Sequence, residues 1–247
     1  MSDPIWYCTR QRAGPLVKEC RAIRPRLSPN DTTYERTEKN KILRPPKDSS
    51  VCRTRVDRLE IRLALLGFKA SVYTLTIRDD VLPRKFQDVR KLWRSFLRKL
   101  NLWNPGWSRD YAYLIEGKHG DHRYHIHVAL RDEDFPPSIV RHLWKYGEVD
   151  DEPLLLGPYD TFRRTAKYWN KEATDGVTIP ISARTWVVSK SLNAKLPQTE
   201  IFRSDSGVIQ VPESVRVSGC NTVVNEFGRY HYTWWIERSE NSALYLE

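Results

Sequence analysis

The chain has 247 residues, 40% of them apolar and 29% charged, and carries a net charge of +10. That length is enough to bury a real core, either as one large domain or as a domain with extended arms. No apolar run approaches the roughly 20 residues needed to cross a bilayer, and the opening stretch with Asp3, Pro4 and Arg10 does not read as a signal peptide, so the expectation is a cytoplasmic protein with no membrane partner.

The charge is unevenly placed. Residues 1–110 hold 25 Lys and Arg against 12 Asp and Glu, whereas residues 111–247 hold 16 against 19. The positive excess therefore lies in the first part, which suits a polyanionic partner such as nucleic acid. Cys8, Cys20, Cys52 and Cys220 show no metal-ligand or redox spacing and read as reduced thiols.

Residues 1–50 are rich in Arg, Lys, Pro, Ser and Asn, with 11 basic against 6 acidic residues and with Pro25, Pro29, Pro45 and Pro46 breaking any periodicity. They predict a basic, partly disordered or extended arm, suited to embracing nucleic acid. A helix is predicted over 51–66, where Val56, Leu59, Leu63 and Leu66 fall at helical spacing before Gly67. Residues 71–77 alternate as a strand. Residues 84–100 repeat the helical pattern, with Val89, Trp93, Phe96 and Leu100 among the apolar residues of one face, Arg and Lys largely on the other, and Pro83 suited to the first turn.

The next segment, residues 111–130, reads as a hairpin with Gly117, Gly120 and Asp121 in its turn. Alternation places His125 and His127 on one face of the second strand and Ile126, Val128 and Leu130 on the other. Pairing of the two strands brings Glu116 beside the histidines. Two imidazoles and a carboxylate on a rigid sheet face are able to hold a divalent cation and leave positions open for substrate. A solvated histidine pair without metal is the plain alternative; His119 and His122 in the turn allow a four-histidine zinc site as another.

A short helix over 138–146, introduced by Pro136 and Pro137, precedes a looser acidic segment, 147–158. Residues 159–172 predict a helix with Phe162, Ala166 and Trp169 inward and with Tyr168 and Lys171, three apart, on one face. Tyrosine attack on a phosphodiester conserves the bond energy in a phosphotyrosine, and a nearby ammonium or metal makes the weakly nucleophilic phenol competent. Short β-like pieces follow at 177–181, 185–189 and 208–211, then a closing pair over 222–226 and 230–236. The pattern predicts an α+β domain built on one antiparallel sheet.

The ordered set VYTLTI, YHIHVAL and KYWNK, with Glu116 ahead of the histidine strand, resembles the three motifs of the rolling-circle replication initiators, the Rep branch of the HUH endonucleases of phage and plasmid type. The segment 184–192, RTWVVSKSL, resembles a stretch that follows the tyrosine motif in such proteins, so the likeness spans roughly residues 55–195.

The resemblance implies a central, about five-stranded antiparallel sheet flanked by helices, the ferredoxin-like HUH nuclease fold. It implies His125, His127 and Glu116 (or His119 in place of Glu116) as ligands of Mg or Mn, Tyr168 as the single nucleophile and Lys171 as its helper. It implies an enzyme that nicks and rejoins single-stranded or hairpin origin DNA through a 5′-phosphotyrosine, leaving a 3′-hydroxyl for a host polymerase. No phosphate-binding Gly-x-x-x-x-Gly-Lys-Ser/Thr loop is present, so unwinding falls to a host helicase. The domain reading is an arm over 1–50, the nuclease over 51–200 and a C-terminal β-hairpin over 201–247 packed on the same domain. Trp103, Trp107 and Trp169 are candidates for stacking on bases. The competing readings are a non-catalytic nucleic-acid-binding module, an HUH relaxase or transposase, and a zinc-stabilised structural protein.

Overall fold

The computed structural model describes residues 5–23, 47–117, 124–157, 159–170, 186–225 and 228–238. In chain order its elements are β1 (Trp6–Ala13), β2 (Leu16–Ile23), α1 (Lys47–Ala64), β3 (Ala70–Leu75), a 3-10 turn (Asp79–Val81), α2 (Phe86–Trp103), β4 (Ala112–Gly117), β5 (Tyr124–Arg131), α3 (Pro137–Leu143), β6 (Val149–Pro153), α4 (Phe162–Tyr168), β7 (Val187–Val188), α5 (Lys190–Ala194), β8 (Glu200–Ser204), β9 (Val215–Asn225) and β10 (Gly228–Glu237). The fold is α+β, with two antiparallel five-stranded sheets. The chain divides into two compact units, residues 56–196 and residues 1–55 with 197–247. Among the described residues no helix is long and apolar enough to cross a membrane.

The sheet of the 56–196 unit has the order β6-β3-β5-β4-β7. Strands β3 and β4 both run antiparallel to β5, so they are parallel to each other and α2 joins them. By the same reasoning β5 and β6 flank β3 in parallel, with α3 between them in the chain. Two interleaved β-α-β units of this kind make the ferredoxin-like arrangement.

The core forms on one face, where Tyr73, Leu75, Tyr113, Ile126, Val128 and Leu130 meet Val89, Trp93, Phe96 and Leu100 of α2 and Val140 of α3. The helical stripe and the strand alternation seen in the sequence are thus two sides of one packed layer. Tyr73 is fully buried there and its hydroxyl donates to the Phe135 carbonyl at 2.9 Å.

Several local expectations change. The predicted helix 84–100 starts at Phe86, so Pro83 precedes it rather than occupying its first turn, and Phe86 is 39% exposed. The acidic segment 147–158 contains the edge strand β6, whose Asp150 and Asp151 face Thr74 and Tyr73 across the ladder. Charged side chains are what a sheet edge carries to avoid further pairing, so the strand looks like a loop in sequence. Residues 208–211 are not a strand, and the pairing strand is β8 instead. The predicted piece 177–181 lies outside the described residues.

The second sheet has the order β8-β1-β2-β10-β9. The reading of residues 1–50 as an extended arm does not hold for residues 6–23, which form two paired strands joined through Gly14 at φ 53°. Its charges are absorbed by ion pairing: the Glu19 carboxylate, 1% exposed, accepts from Arg10 at 2.8 Å and Arg21 at 2.8 Å. Residues 24–46 lie outside the described residues. The predicted C-terminal hairpin is present as β9 and β10, but β10 pairs with β2, so the two ends of the chain build this sheet together rather than extending the first.

Candidate functional site

The face of the first sheet opposite α2 and α3 carries the candidate residues. Register places Glu116 of β4 directly across from His125 of β5, while His127, two residues on, sits between Leu114 of β4 and Thr74 of β3. The Glu116 carboxylate oxygen Oε2 lies 3.0 Å from His125 Nε2 and 2.9 Å from His127 Nε2. The two imidazoles meet edge to face with centroids 4.8 Å apart.

This arrangement fits a metal. One ligand atom from each of the three residues lies within 4.8 Å of the others. Oxygen and nitrogen ligands about 2.1 Å from a hexacoordinate ion stand about 3 Å from their neighbours, which is the spacing of Glu116 from each histidine. Hard carboxylate plus imidazole donors suit Mg, Mn or a similar divalent cation, with remaining positions for water or phosphate oxygen. Hydrogen bonds from His125 and then His127 hold the Glu116 carboxyl far below the usual carboxylate range, outweighing the opposing effect of its burial.

That depression sets a pH signature for the metal-free protein. Glu116 titrates lower in the folded state than in the unfolded chain, so its stabilisation is complete above the unfolded value near 4.3 and drains away as pH falls toward the folded value. In denaturant titrations with chelator present, the stability difference between wild type and Glu116→Gln is expected to be full at pH 5 and to shrink steadily at lower pH. A gap that widens on acidification contradicts the assignment.

Thr74 was not singled out in the sequence, yet its Oγ1 lies 3.1 Å from His127 Nδ1. When Nδ1 carries the proton and donates to Thr74, Nε2 is free to ligate a cation; such supporting partners fix ring orientation and tautomer. The clue available in sequence was its place in the VYTLTI strand, but only the Thr74–His127 register reveals the contact. Thr74→Val is expected to weaken Mn²⁺ binding roughly 10-fold, measurable by calorimetric titration; unchanged affinity contradicts an orienting role.

Tyr168 ends α4 with its ring 5.8 Å from the His127 ring, nearly perpendicular to it, and is 53% exposed. It therefore sits beside the triad and faces solvent. The short helix that carries it is pinned from within and from both flanks. Phe162, Thr165 and Ala166 are buried; Arg163 bonds Asp57 at 2.6 Å and Glu60 at 2.8 Å on α1; Arg164 bonds Glu152 at 2.7 Å and Asp160 at 2.9 Å.

Of the five candidate residues, Glu116, His125, His127 and Tyr168 are brought together; Lys171 lies outside the described residues, as do His119 and His122. The stacking candidates divide. Trp107 and Trp169 are core residues at 5% and 2% exposure, because each fills an apolar layer, while Trp103 is 51% exposed and packs against His142. A groove of about 430 Å³ opens beside Tyr168 and His127, between β3, β6 and α4.

Residues 70–173, from the first strand of this sheet to just beyond Tyr168, match the model of a family described as replication-associated protein ORF2. No curated protein and no solved structure matches the chain.

Proposed function

From the membership of residues 70–173 in the replication-associated protein ORF2 family, which assigns the chain to DNA replication, we propose that the protein is a rolling-circle initiator that nicks and rejoins single-stranded origin DNA. The observation that carries this reading is the nearness of a half-exposed phenol, Tyr168, to a carboxylate and two imidazoles spaced as metal ligands. A divalent cation held by Glu116, His125 and His127 supplies charge neutralisation at the scissile phosphate.

The chain's own residues account for the remaining steps. Sheet register fixes Glu116 and His125 opposite each other, and Thr74 sets the His127 ring. The pinned helix α4 presents the Tyr168 oxygen on the same face, which converts attack on bound DNA into an oriented, effectively unimolecular event. As the tyrosine oxygen–phosphorus bond forms, the phenol gives up its proton and the bond from phosphorus to the 3′-oxygen breaks. The departing oxygen ends as a 3′-hydroxyl that a host polymerase extends. Attack by a later 3′-hydroxyl on the phosphotyrosine reverses the exchange and rejoins the strand. Lys171, three residues beyond Tyr168, is the proposed electrostatic helper.

Incubation with end-labelled single-stranded oligonucleotides and Mn²⁺ is expected to yield a protein–DNA adduct that survives denaturant and disappears with chelator. Cleavage without an adduct, or an adduct indifferent to chelator, overturns the proposal.

A further inference from the structure

The groove beside Tyr168 holds buried polar groups that no described residue satisfies. Thr165 and Trp169 line it and are 3% and 2% exposed, and among the described residues neither Thr165 Oγ1 nor Trp169 Nε1 has a hydrogen-bond partner. Arg164, also in its wall, commits Nε to Asp160 and Nη1 to Glu152, which leaves Nη2 buried and, among the described residues, unpaired in a fixed orientation. Buried donors are rarely left without acceptors, and three in the wall of one groove indicate that a ligand completes them.

The opposite wall supplies acceptors. Strand β6 lies against β3 with Asp150 across from Thr74, and Asp150 and Glu152 both line the groove. Asp151, the third carboxylate there, is ion-paired with Arg141. A phosphate is excluded by this acidic wall, because its charge meets carboxylates at close range. Donors on one side and acceptors on the other match instead the edge of a nucleobase, which presents both kinds of group a few ångströms apart. The floor is the sheet itself, and Tyr168 and His127 stand at one end.

We infer that this groove receives one unpaired base of the DNA strand next to the scissile phosphate and reads its identity. The inference rests on single-stranded DNA being the substrate. Carboxylates at 150 and 152 accept from an exocyclic amino group, while Thr165, Trp169 and Arg164 donate to a carbonyl oxygen or ring nitrogen. Adenine, cytosine and guanine satisfy both walls; thymine has no amino group and is disfavoured. The base thus fixes which phosphate lies before Tyr168, and origin choice is set partly outside the metal triad.

The test uses binding alone, so that it does not depend on cleavage. Full-length Tyr168→Phe protein is equilibrated with a randomised single-stranded DNA pool in chelator, and the bound fraction is sequenced. The expected motif contains one position at which thymine is depleted about tenfold. Adding Thr165→Val, or independently Asp150→Asn on the exposed edge strand, is expected to flatten that position and leave the other positions unchanged. A motif identical in all three proteins, or bound DNA without any position disfavouring thymine, overturns the base-reading groove while leaving the nicking proposal standing. Failure of the parent protein to bind any DNA overturns both.

Discussion

Tyr168→Phe is expected to abolish covalent attachment to DNA, by a thousandfold or more, the order of loss seen when a nucleophile is removed from an enzyme that forms a covalent intermediate. The substitution deletes one oxygen from a side chain that is 53% exposed at the end of a helix. The fold has little reason to respond, since substitutions at such surface positions usually stay within about 0.5 kcal/mol. Affinity for single-stranded DNA, measured by fluorescence anisotropy, is expected to stay within a few-fold of wild type. The split between retained binding and lost chemistry is the informative result. A non-catalytic binding module shows no adduct in either protein, and an enzyme using another nucleophile shows the same adduct in both.

His127→Ala is expected to have an effect of similar size through a different cause. His127 is the most enclosed member of the triad, with its side chain 6% exposed, one ring nitrogen on Glu116 and the other on Thr74. Its removal takes away a ligand, leaves Glu116 with a single imidazole partner and strips the Thr74 hydroxyl of its ring contact. Mn²⁺ affinity is expected to fall by more than about 100-fold, beyond the 10–100-fold typical of losing a supporting partner, and adduct formation is expected to fall with it. Some loss of stability accompanies the change because a buried ring leaves a void. Thermal melts in chelator separate that cost from the loss of metal. Calorimetric titration showing equal Mn²⁺ affinity in wild type and variant would place the ion elsewhere.

What the sequence disclosed follows from the range over which each signal acts. Alternation in YHIHVAL put His125 and His127 on one face because strand periodicity is local, and the stripe Val89, Trp93, Phe96 and Leu100 marked α2 for the same reason. The hairpin between β4 and β5 spans a short turn, so local pattern alone was enough to place Glu116 beside the histidines. Long-range pairing left no such trace. Strand β2 meets β10 about two hundred residues later, with Val17 across from Trp235, and nothing in the basic N-terminal segment announces that partner.

Charge misled in two places for a physical reason. Arg10, Glu19 and Arg21 look like the composition of a solvated arm, but they neutralise one another on a sheet. The run VDDEP of β6 looks like a loop because an edge strand tolerates charge. That misreading also hid the groove: its acceptors lie on β6, and its donors, Arg164, Thr165 and Trp169, were read only as parts of a helix. The tyrosine motif was legible as a helical spacing, whereas its nearness to His127 depends on how α4 lies on the sheet, which no local pattern encodes.

The most direct test of the account is to identify the residue that carries the DNA. The Mn²⁺-dependent adduct is digested with protease and nuclease, and the modified peptide is sequenced by mass spectrometry. The account predicts a nucleotide joined through its 5′-phosphate to Tyr168. A nucleotide on another side chain, such as the exposed Tyr159, or linkage through a 3′-phosphate, contradicts it.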